Sequence, residues 1–118
     1  MVAWSATRKA CVTYRVVAGV ALASGDPLGD REAWPGAIEA FMAETKLHGW
    51  MPAVAAASEI GAEVWIRETG MNALEIGDEA IVDVDTFTLE GRTMRNVRQM
   101  VNRITRQGYT TQIHRMSD

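Results

Sequence analysis

Five arginines lie between Gly91 and Gly108 in the stretch GRTMRNVRQMVNRITRQG, which holds no carboxylate. Guanidinium groups pair bidentately with phosphate or carboxylate oxygens, so the stretch could bind a polyanion or match acidic groups of its own chain. At about 100° per residue, Met94, Val97, Val101 and Ile104 fall on one stripe of a helix, with Arg92, Arg95, Arg98, Arg103 and Arg106 on the other side. No Glu or Asp stands four residues away within the helix to neutralise them. Arg106 suits the negative end of the helix dipole, whereas Arg92 at the positive end opposes it, as a cation with an anionic partner would. The apolar stripe predicts burial in a core.

Carboxylates form the second set. The loop ASGDPLGDREAW brings Asp26, Asp30 and Glu32 to a strand-to-helix junction. Free backbone N–H groups hold phosphate at such junctions in many folds, but three carboxylates would repel a pyrophosphate, which argues against a nucleotide or coenzyme A there. The loop reads either as a turn with Asp30 capping the helix, or as a polar site, including Asp26, for a cationic or hydroxylated substrate. Asp83 and Asp85 alternate onto one face of an extended segment, as solvated edge residues, partners for the arginines, an acid/base pair or metal ligands. Cys11, His48 and His114 lack metal-ligand spacing, so no metal site is expected. No nucleophile–base–acid set stands out. Trp34, Trp50 and Trp65 occupy apolar positions of their elements and are expected in the core.

These residues need elements to place them. KACVTYRVVAGVALASG predicts a hairpin, Cys11–Val17 with Val20–Ser24, turning at Ala18-Gly19. After GDPLGD, the helical spacing of Trp34, Ala37, Ile38, Phe41 and Met42 predicts a helix from near Glu32, with Pro35 in its first turn and His48-Gly49 at its end. WMPAVAAAS reads as a short buried strand and EIGAEVWIRETG as a second helix stopped by Gly70. MNALEIGDEAIVDV reads as extended, with Ala80, Val82 and Val84 on one face. The arginine helix follows from about Leu89 to Gln107, and YTTQIHR closes as a strand. Alternating strands and helices predict an α/β or α+β class in a single domain over residues 1–118.

Composition bounds the rest. At 118 residues with 47% hydrophobic content, the chain can bury a modest core. Its single cysteine cannot form an internal disulfide, which suits a reducing compartment. No stretch approaches the roughly 20 apolar residues that span a bilayer, and no secretory leader is expected. Residues 1–90 hold six Lys/Arg against fourteen Asp/Glu, while residues 91–118 hold six Arg against one Asp. Such asymmetry marks either a polyanion-binding end or an internal electrostatic match.

GVALASGDPLGDREAWPGAIEAF and ALEIGDEAIVDVDTFTLEGRTMRNVRQMVNRITRQGYT together resemble the bacterial phosphatidylglycerol lysyltransferase family, over about residues 8–115. The bifunctional form, fused to a lysyl-tRNA synthetase, is the nearer likeness. The resemblance implies a GNAT-like acyltransferase fold, a mixed and mostly antiparallel sheet flanked by helices, forming the N-terminal half of a tandem. It implies transfer of lysine from lysyl-tRNA to phosphatidylglycerol, with no redox cofactor or metal, at the cytoplasmic face of the bacterial plasma membrane. RETGMN follows a helix rather than preceding one, so it is not read as a coenzyme A loop. Because the family's catalytic region is about twice as long, no catalytic residue is carried over. Asp26, Arg92, Arg95, Arg98 and Asn102 stand as candidate substrate-binding residues. The expected partners are lysyl-tRNA, phosphatidylglycerol, the second GNAT-like half and, for this piece alone as a soluble protein, a second copy. A tRNA- or anionic-lipid-binding module without catalysis, and an acyl-CoA N-acyltransferase, are the competing readings.

Overall fold

The computed structural model describes residues 1–115 and divides into two compact units that meet between Ile76 and Gly77. The first holds a mixed sheet with helices. Its elements run β1 (Val2–Trp4), β2 (Ala10–Val17), β3 (Val20–Ser24), β4 (Leu28–Gly29), α1 (Trp34–His48), β5 (Met51–Ala55) and α2 (Glu59–Thr69). The sheet order is β1-β2-β3-β5, and β4 pairs the start of β2. Three pairings are antiparallel and β3–β5 is parallel, which makes the mixed, mostly antiparallel sheet of an α+β fold.

The hairpin forms as its sequence predicts, with Val17 opposite Val20 and Tyr14 opposite Ala23. Ala18 and Gly19 both take positive φ at the turn, 49° and 80°. Such φ values suit a two-residue turn whose twist matches that of the strands. Period-two alternation then sends Ala10, Val12 and Tyr14 of β2, with Ala21 and Ala23 of β3, to the buried face. Helix α1 lays Trp34, Ala37, Ile38 and Phe41 into the same cluster, and Trp65 of α2 joins them. Phe41 is the hub, with edge-on rings of Tyr14 at 5.2 Å and Trp65 at 5.7 Å. The small alanines of β3 leave room for these rings. Trp50 is only half-buried beside Tyr14, and β5 is half-exposed rather than buried because it is an edge strand with a neighbour on one side only. The far face of the sheet stays open, with Val17 61% and Met51 68% exposed.

Helix boundaries follow local chemistry. Asp30 accepts a hydrogen bond from the Glu32 N–H and opens a 3-10 turn, Arg31–Ala33, ahead of α1. Pro35 falls in the first turn of α1, where a missing N–H costs nothing. Gly49 and Gly70 end α1 and α2 in the left-handed conformation, as expected from the sequence. Strands β1 and β4, of three and two residues, are too short to show a period in sequence. Gly29 permits β4 by its positive φ, because a side chain there would overlap the Lys9 carbonyl.

The second unit, from Gly77 onward, departs from expectation. Its one regular element among the described residues is α3 (Arg95–Arg106). The helix begins later than Leu89 because Gly91 takes a φ of 83° and a turn intervenes before Arg95. The segment ending at Val84 and the segment 109–115 form no strand, since neither has a hydrogen-bonded neighbour among the described residues. A turn at residues 84–86, with the Asp83 carboxylate accepting from the Asp85 N–H at 3.2 Å, breaks the predicted alternation. The predicted stripe is not core: Val97, Val101 and Ile104 are 42–45% exposed, and Met94 is half-buried just ahead of the helix. A period of 3.6 shows that a helix has an apolar side but supplies nothing to cover it.

Candidate functional site

Asp26 belongs to the first unit, and Arg92, Arg95, Arg98 and Asn102 belong to the second.

Asp26 follows the β3 turn and reaches the start of α2. One carboxylate oxygen accepts from the Ser58 N–H at 2.8 Å, the other from the Ser58 hydroxyl at 2.6 Å. Ser58 Oγ in turn accepts from the Gly61 N–H at 3.0 Å, which is the N-cap bond of α2. A Cβ at Gly61 would overlap the Asp26 carboxylate, which would have to turn away from Ser58. The neighbouring Gly25 carbonyl accepts from the buried Trp65 indole at 3.1 Å. Asp26 is therefore a strut: it fixes the β3 turn to α2 and places negative charge at the positive end of that helix. Sequence reading missed Ser58 and Gly61. The signal was present in SEIGAE, a serine three residues before a glycine at a helix start.

On α3 the arginines divide. Arg98 is half-buried and turned back along the chain, its Nη1 donating to the Leu89 carbonyl and, at 3.0 Å, to the Gly91 carbonyl. It holds the entry loop against the first turns of the helix. Arg92, Arg95 and Asn102 are exposed, as are Arg103 and Arg106. Gln99, Asn102, Arg103, Arg106 and Gln107 line an open, shallow recess on the polar side. Among the described residues the one Lys/Arg–carboxylate pair is Arg67–Glu68 at 2.8 Å, so none joins an α3 arginine to a carboxylate. Of the alternatives for Asp83 and Asp85, pairing with the arginines is not seen among the described residues: Asp83 is bonded to its own turn. The exposed guanidinium groups are able to bind anions bidentately.

No group of three His, Cys, Asp or Glu among the described residues could hold a metal ion, and Cys11 is buried. His48 ends α1 with Nδ1 at 2.9 Å from the Glu44 carbonyl, and its ring stacks on Trp50 at 4.2 Å between centroids. No described helix is long and apolar enough to cross a membrane.

Comparison with known proteins assigns the chain. A family described as "Phosphatidylglycerol lysyltransferase, C-terminal" matches residues 1–118. The lysylphosphatidylglycerol biosynthesis bifunctional protein LysX of Rhodococcus opacus (strain B4) is 50% identical over 117 residues, which is 99% of this chain and 10% of the relative. LysX of Mycobacterium tuberculosis (strain ATCC 25618 / H37Rv) is 49% identical over the same span. The solved structure of L-PGS from Bacillus licheniformis superposes with a TM-score of 0.69 at 28% identity, over 92% of this chain and 34% of that one. The chain thus spans about a tenth of the length of the curated relatives that it matches. It belongs to the phosphatidylglycerol lysyltransferase family, in the C-terminal region that the family description covers.

Proposed function

We propose that this chain is one portion of an aminoacyltransferase that moves lysine from lysyl-tRNA to phosphatidylglycerol. The observation that carries this reading is the likeness to LysX proteins at half identity along essentially the whole chain. In the reaction, a glycerol hydroxyl oxygen of the lipid attacks the lysyl ester carbonyl. A new C–O bond forms, the C–O bond to the tRNA ribose breaks, and the proton of the lipid hydroxyl goes to the ribose oxygen. One ester replaces another, so nothing is oxidised or reduced.

Within that reaction the chain supplies scaffold and substrate surface. Exposed Arg92, Arg95 and Asn102 are the groups for phosphate or carbonyl oxygens. Arg98 orders the approach to them through the Leu89 and Gly91 carbonyls. Asp26 acts indirectly, by seating α2. The active enzyme lies at the cytoplasmic face of the plasma membrane, where the lipid product adds positive charge. The chain is the first half of a tandem, and the open face of its sheet is where the second half, or a second copy of the chain, packs. Incubation of the chain alone with labelled lysyl-tRNA and phosphatidylglycerol vesicles should leave no label in the lipid. Lysyl-phosphatidylglycerol formed by the chain alone would overturn the scaffold role.

A further inference from the structure

We draw no further inference here: the strongest candidate, the open apolar face of the first unit's sheet on which Val17, Leu22 and Met51 are exposed, carries none, because nothing in the structure shows what covers it.

Discussion

Single residues in the first unit carry tasks that their types alone do not reveal. An aspartate in a Gly/Pro loop reads equally as a ligand and as a turn residue. Only the distance from Asp26 to Ser58, 32 positions along the chain, makes it a strut. Asp26→Ala should remove two hydrogen bonds to a charged acceptor and cost about 1–3 kcal/mol. In chemical or thermal denaturation Ser58→Ala should give a similar loss, and the double variant should cost less than the sum. Gly61→Ala should destabilise although alanine is the better helix former, because its methyl would displace the Asp26 carboxylate. If Gly61→Ala raised the melting temperature, the strut would be wrong. Tyr14 gives a pH test. Burial, and then the charge of Glu44, push its phenol above the ordinary value near 10.0. The fold therefore prefers neutral Tyr14. That preference contributes in full below the unfolded phenol's value and is lost as pH rises through the raised one. Stability should fall above about pH 10 through this group, and Tyr14→Phe should flatten that part of the profile.

Elements differ in how much of themselves the sequence states. The β2–β3 hairpin, α1 and α2 are legible because each carries its own period and its own stop signal: Ala18-Gly19, Gly49 and Gly70. The burial of Phe41 is legible for the same reason. Phe41→Ala should cost about 3–5 kcal/mol, since it would empty the space between Tyr14 and Trp65. A loss below about 1 kcal/mol on denaturant titration would contradict its place as hub. The alternation near Val82 is no less regular, yet no strand forms among the described residues. A strand is a property of two segments, and sequence pattern describes only one of them. Helix α3 teaches the same lesson. Its hydrogen bonds lie within one segment, so its period can be read without a neighbour, but the covering of its stripe depends on what lies opposite. The arginine side was legible as cationic, while Arg98 left it for the Leu89 and Gly91 carbonyls, a choice set by the Gly91 turn.

At the scale of the whole molecule, charge and kinship point the same way. The chain gathers its positive charge after Gly91, and the structure places no carboxylate on the α3 arginines among the described residues. The family to which it belongs is named for transfer of a cationic amino acid to an anionic lipid. The family was legible through the long resemblance rather than through any catalytic constellation. A chain that matches only a tenth of its LysX relatives need not itself hold the reacting groups. The proposed role is tested most directly by a chimera in which this chain replaces the matching 117-residue stretch of LysX from Rhodococcus opacus. Labelled lysyl-tRNA and phosphatidylglycerol vesicles supply the substrates. The chimera should form lysyl-phosphatidylglycerol, and Arg95→Ala with Asn102→Ala within it should reduce the rate by tenfold or more, about 1.4 kcal/mol in transition-state binding. A folded chimera with no transfer above background would contradict the account.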